Sequence, residues 1–152
     1  MKSAQDIQRM RESGLLLWQT HQVARGLVRP GATTKEIDGA VEDFILANQA
    51  LPLFKGVPGK VPFPAATCIS VNQEVVHGIP SDRKLAEGDI VSIDIGIKLN
   101  DWCTDAAATY PVGAIDEGKA RLIQVTEECL RRAIHLLGEK TRWRHIARKI
   151  QK

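Results

Sequence analysis

Over residues 89–99 the pattern is that of a strand, with apolar and polar residues alternating from Val91 to Leu99. Val91, Ile93, Ile95, Ile97 and Leu99 share one parity; Ser92, Asp94, Gly96 and Lys98 share the other. A period of two marks a strand with one buried face. Asn100-Asp101 supplies a two-residue hairpin turn, so a return strand is expected from Trp102 to about Val112. Elsewhere the period is 3.6. Ser3 is placed to cap a helix running to Leu27, with Ile7, Met10, Leu17, Ala24, Leu27 and Val28 as its apolar positions and Pro30-Gly31 as its stop. Thr33-Thr34-Lys35-Glu36 has the form of a capping box. It opens a second helix to about Asn48, turning Ile37, Val41, Phe44 and Ile45 toward a core.

Pro52, Pro58, Pro62 and Pro64 make residues 51–66 a loop. Thr67–Asn72 reads as a short strand, and Val75-Val76 as strand leading into a turn at His77-Gly78-Ile79-Pro80. A third helix is expected over Asp116–Leu137. A fourth starts near Thr141–Trp143 and is still running at Lys152. A shift of 109 places Ala24 on Ala133, Leu27 on Leu136, Ile37 on Ile146 and Val41 on Ile150. This faint repeat suggests two copies of a helix–break–helix unit, the second cut off within its second helix.

Composition narrows the class. The 152 residues are 43% hydrophobic and 26% charged, which excludes a disordered chain, a collagen-like chain and a membrane-spanning bundle. The net charge of +3 is too small to indicate nucleic-acid binding by itself. From Lys140 onward, however, six basic residues stand with no acidic one. That stretch is either a solvated helix face or a contact for RNA or an acidic partner. Cys68, Cys103 and Cys129 have the spacing of neither a zinc clip nor a disulfide framework. They are expected to be buried free thiols in a reducing cytosol. The N-terminus shows no apolar export segment, so a cytoplasmic location is expected.

The candidate chemistry lies on the hairpin. With Asn100-Asp101 as the turn, Asp105 stands opposite Gly96 and diagonal to Asp94 on one sheet face. Diagonal neighbours are roughly 7–8 Å apart, a gap two carboxylates can close around a divalent cation. Gly96 leaves room for Asp105. The same geometry also describes two aspartates lining the wet side of a sheet, and two carboxylates are fewer than a tight metal site uses. His77, held between Val76 and Gly78-Ile79-Pro80, could sit at a pocket edge. A histidine in such a place binds substrate, shuttles protons or binds metal, or is simply a surface residue. His21, His135 and His145 have no partner visible in the sequence and are given no role. Neither a nucleophile elbow nor a phosphate-binding glycine loop is present.

Two long blocks, FPAATCISVNQEVVHGIP (63–80) and LAEGDIVSIDIGIKLNDWCTDAAATYPVG (85–113), resemble type I methionine aminopeptidases, and so do the opening helices. The resemblance covers essentially the whole chain. It implies a pita-bread α+β fold, an antiparallel sheet with helices on one face. It implies removal of initiator Met from nascent chains by a site with two divalent ions (Co, Mn, Fe or Zn). Asp94 would match a carboxylate chelating one ion and Asp105 the carboxylate bridging both. His77 would match the histidine that contacts the scissile peptide group. Phe63 and Cys68 would line the pocket for the Met side chain.

The resemblance also implies gaps. The family's ligand histidine and two glutamates lie beyond the fourth helix, and no residue here matches them. The chain is therefore expected to be one incomplete catalytic domain, with a first repeat over about 1–113 and a second begun over about 114–152. Alone, it is expected to bind metal weakly or not at all and to be inactive. Its partners would be N-terminal Met residues and, as a further candidate, the ribosome; neither membrane nor DNA is expected. The competing reading is a non-catalytic pita-bread module that binds peptides or ribosomes. A third possibility is that a second copy covers its apolar faces.

Overall fold

The computed structural model describes residues 2–139 and 142–151. Its elements are α1 (Ala4–Leu27), α2 (Thr34–Ala47), β1 (Leu51–Pro52), β2 (Thr67–Val71), β3 (Ile90–Leu99), β4 (Trp102–Pro111), α3 (Glu117–Leu137) and α4 (Trp143–Ile150). By its internal contacts the chain divides into two units, 1–115 and 116–152.

In the first unit β3 organises the sheet. β4 lies antiparallel along one side of it, and β1 and β2 lie antiparallel along the other. The alternation read from the sequence is the alternation of the strand. Val91, Ile93, Ile95 and Ile97 are fully buried and pack with Ile69 and Val71 of β2. Leu16, Leu17 and Ala24 of α1 and Ile37, Val41 and Ile45 of α2 close the same core. Both helices therefore cover one face of the sheet and leave the Asp94 face open. The hairpin register follows from its turn. Asn100 and Asp101 both take positive φ (48° and 68°), the left-handed conformation that a two-residue turn between twisted strands requires. Gly96 then pairs with Asp105 as expected.

Capping fixes the helix starts. The Ser3 side chain accepts from the Asp6 amide at 3.2 Å while Asp6 accepts from the Ser3 amide at 2.8 Å. Thr33 and Glu36 form the same reciprocal pair at 3.1 and 2.8 Å, which satisfies two otherwise orphan donors at each helix start.

Several expectations are corrected. Residues 51–52 form a short strand inside the segment read as loop. Val75 and Val76 are not strand; they are 86% and 63% exposed. The buried face of α1 is Ser13, Leu16, Leu17, Thr20, His21 and Ala24, whereas Ile7 is 59% exposed. An apolar-only periodicity misses this face because half of it is polar: Ser13 and His21 bond β4 and Thr20 bonds α1 itself. Of the cysteines only Cys68 is buried; Cys103 is exposed and Cys129 half-buried.

In the second unit Asp116 caps α3, accepting from the Lys119 amide at 2.9 Å. Ala133, Leu136 and Ile146 form a small core between α3 and α4. α4 runs to Ile150, and Gln151 keeps a helical backbone with its amide on the Ala147 carbonyl. The expected start at Thr141, like Lys152, lies outside the described residues. Among the described residues no helix is long and apolar enough to cross a membrane.

Candidate active site

Asp94 sits at the middle of β3, with Cys68 directly opposite on β2 and Ala107 directly opposite on β4. Asp105 comes up diagonally from β4. A pocket of about 380 Å³ opens over this face, lined by Phe54, Val57, Phe63, Cys68, His77, Asp94 and Asp105. The structure thus brings all five sequence-selected residues to one cavity: Asp94, Asp105, His77, Phe63 and Cys68.

The Asp94 carboxylate is electrostatically unfinished. Its Oδ1 is buried and has no hydrogen-bond partner. Burial pushes its pKa above the ordinary carboxylate range, and the like charge of Asp105 pushes it further; His77 and His21 act in the opposite direction. An orphaned buried oxygen beside a second carboxylate is the environment that a shared divalent cation relieves. The donors are hard oxygens, which fit such an ion. They remain a partial set, because the described residues hold no cluster of three or more His, Cys, Asp or Glu side chains able to hold a metal.

Cys68 contributes an apolar wall rather than a nucleophile. Burial, reinforced by Asp94, Asp105 and Asp38, pushes its thiol up to about 11. It therefore stays protonated at neutral pH. His77 is exposed and holds φ at +60°, a backbone state that costs a non-glycine residue free energy and persists only when its surroundings enforce it. The enforcement is visible next door. The Gly78 amide donates to Ser70 Oγ at 3.1 Å, and the Gly78 carbonyl accepts from the Ile69 amide at 2.8 Å. Any Cβ at position 78 would collide with the Ile69 carbonyl. The His-Gly-Ile-Pro turn is thereby pinned to β2, with its imidazole at the pocket rim.

Sequence reasoning missed Phe54 and Val57. Phe54 reaches the pocket because the Leu53 amide bonds the Gly96 carbonyl at 2.9 Å, laying the loop after β1 over the hairpin. A Cβ on Gly96 would stand 2.9 Å from Phe54 Cε1, so the glycine admits both the aromatic ring and Asp105. No local pattern in a proline-rich loop signals that approach. His21, given no role from the sequence, is also engaged. Its ring bonds the Ala106 carbonyl and the Tyr110 hydroxyl.

Comparison with known proteins bears out the resemblance. Residues 8–152 match the profile of metallopeptidase family M24. The chain is 43% identical over 150 residues to methionine aminopeptidase 1 of Bacillus subtilis, and 43% identical over 151 residues to the Clostridium perfringens methionine aminopeptidase. In each case the match takes in 99% of this chain and 59% of the relative. The crystal structures of methionine aminopeptidase from Rickettsia prowazekii (TM-score 0.84, 34% identity) and Thermotoga maritima (0.81, 38%) superpose on 88% of this chain and 53% of theirs. The Pyrococcus horikoshii prolidase shares the fold at 21% identity and TM-score 0.74, over 88% of this chain and 36% of its own. The chain thus spans about three-fifths of the length of the curated relatives it matches. A fold with the pita-bread proteins' antiparallel sheet, and a profile match from Gln8 onward, make this chain a member of metallopeptidase family M24.

Proposed function

We propose that this chain is the substrate-binding and partial metal-binding portion of a methionine aminopeptidase, acting on the N-terminal Met of nascent proteins. The observation that carries this reading is the buried, partnerless Oδ1 of Asp94 beside Asp105, at the floor of a pocket walled by Phe54, Phe63 and Cys68. Asp94 and Asp105 would hold divalent metal, with Co, Mn, Fe and Zn as the candidate ions. When bound, such an ion supplies Lewis-acid polarisation and a water of lowered pKa.

The chain's own residues do the rest. The aromatic and thiol walls accept an unbranched, polarizable thioether. His77, fixed at the rim by the Gly78 clamp, is placed to hydrogen-bond the peptide group next to that Met. The half-buried Asp94 would meet the cation with its partnerless Oδ1. In this reading 1–113 is a first structural repeat and 114–152 the start of a second.

Two carboxylates are fewer than the three protein ligands a catalytic metal site normally uses, so the 152-residue chain alone is inactive. Purified protein assayed on a Met-Ala-Ser peptide with added Mn or Co is expected to release no Met above the metal blank. Metal-dependent release would refute that part of the proposal.

A second reading is favoured by a separate observation. Residues 116–152 carry ten of the 21 basic residues but only five of the 18 acidic ones. Arg132, Arg148 and Lys149 are exposed around one open groove. This face suits ribosomal RNA. Salt-sensitive co-sedimentation with ribosomes would support it, and absence of co-sedimentation at low salt would remove it.

A further inference from the structure

The buried polar residues of α1 all address one strand or their own helix. Ser13 is fully buried and His21 is 6% exposed. Ser13 Oγ donates to the Trp102 carbonyl at 3.1 Å and meets Thr104 Oγ1 at 2.8 Å. His21 Nε2 lies 2.9 Å from the Ala106 carbonyl oxygen, and Nδ1 lies 3.1 Å from the Tyr110 hydroxyl. A carbonyl oxygen only accepts, so Nε2 carries the proton and Nδ1 accepts from Tyr110. Burial holds the His21 pKa below its ordinary value, although the Ala106 carbonyl and the two aspartates pull the other way. The neutral ring that this bonding requires therefore persists at neutral pH.

These bonds bracket Asp105. Among the described residues β4 pairs only with β3, and the hairpin register turns the Trp102 and Ala106 carbonyls toward β3, so each α1 bond is a second one to a ladder carbonyl. Ser13 holds the carbonyl of Trp102, and His21 holds that of Ala106, the residue after Asp105. A displacement of Ala106 would carry the adjoining Asp105 backbone with it and swing its Cα–Cβ bond relative to Asp94.

We propose that His21 is a positioning residue for Asp105: its Nε2–H bond to the Ala106 carbonyl, braced by Tyr110, keeps the Asp105 carboxylate turned toward Asp94. This rests on the reading of Asp94 and Asp105 as a cation-holding pair. The role is indirect, because the imidazole contacts neither carboxylate and no substrate.

The experiment uses the full 152-residue chain, ¹⁵N-labelled, with two readouts. The first is line broadening by Mn²⁺ at the Asp94 and Asp105 amides. The second is hydrogen exchange at the Thr104 and Ala106 amides, which face β3, relative to those of β2. His21→Phe keeps a ring and removes both hydrogen bonds. It is expected to cut broadening at Asp105 at least threefold while broadening at Asp94 persists, and to speed β4 exchange at least fivefold relative to β2. His21→Gln carries an N–H donor at similar reach and is expected to restore both readouts to within twofold. Ala24→Gly, which loosens the same helix at a fully buried position, should lower thermal stability without changing the Asp105-to-Asp94 broadening ratio.

If His21→Phe does not fold, Tyr110→Phe removes only the brace and is expected to give the same change at smaller amplitude. An unchanged broadening ratio with unchanged β4 exchange in either folded variant would overturn the proposal. If the unsubstituted chain shows no Mn²⁺ broadening at either aspartate, the cation-holding reading fails instead. The exchange readout then decides the strand clamp by itself.

Discussion

Gly96 and Asp105 face each other across the β3–β4 hairpin, and a Cβ on Gly96 would stand 3.1 Å from Asp105 Oδ2. The absent side chain is thus part of the site. It lets the carboxylate lie flat over β3 while Phe54 closes from the other direction.

Gly96→Ala is therefore expected to damage the site more than the fold. Its methyl meets Phe54 Cε1 at 2.9 Å as well as Asp105, and overpacking of this kind costs about 1–3 kcal/mol. Thermal unfolding should shift down by that amount. Mn²⁺ binding should weaken roughly tenfold, or about 1.4 kcal/mol, because the carboxylate has to leave its position. Unchanged binding would show that Asp105 does not need the gap.

Asp94→Asn is expected to stabilise the metal-free chain at pH 7. The folded pKa of Asp94 is raised, by burial first and by Asp105 second. For a raised carboxylate the folded state binds the proton more tightly than the unfolded chain. Stability is thus lost as pH rises from the unfolded value toward the folded one, and the whole cost is present at pH 7. Removing the charge removes that cost, worth on the order of 1 kcal/mol, or about 2–4 °C, at a half-buried site. Calorimetry at pH 7 checks it; a lower melting temperature would contradict the assigned repulsion.

The hairpin was legible from the sequence because its information is local. Strict alternation defines the face of β3, and a two-residue turn admits one register. That was enough to set Asp94 and Asp105 on the same side. The pocket wall was not legible. Phe54 arrives through a strand of two residues and one long-range hydrogen bond at Leu53, which no periodicity encodes. The α1 face failed for a different reason. Ser13, Thr20 and His21 are buried because they bond carbonyls, two of them on β4 and one on α1 itself, whereas a search for apolar spacing selects Ile7 instead. Val75-Val76 has strand-forming composition, but the Gly78 clamp on β2 diverts the chain before it can pair.

His21 gives the chain a pH dependence of known sign. Its folded pKa is lowered, chiefly by burial. The unfolded state therefore binds the proton first, and stability falls as pH drops through the ordinary histidine value of about 6.5. Urea unfolding at pH 7.5 and pH 5.5 should show this loss, and His21→Gln should show a smaller one. Tyr110, Asp94 and Asp105 are the other titrating groups nearby. Tyr110 is raised by burial, out of this range, and Asp94 acts with the opposite slope. An equal pH response in the two proteins would remove His21 as its source.

In the proposed function Asp94 and Asp105 form part of a divalent cation site. Isothermal titration of Mn²⁺ into the metal-free 152-residue chain, beside Asp94→Asn and Asp105→Asn, tests it most directly. The predicted result is one weak site, with Kd on the order of 0.1–1 mM as befits few protein ligands, weakened at least tenfold by either substitution. Equal Mn²⁺ affinity in all three proteins would contradict the account.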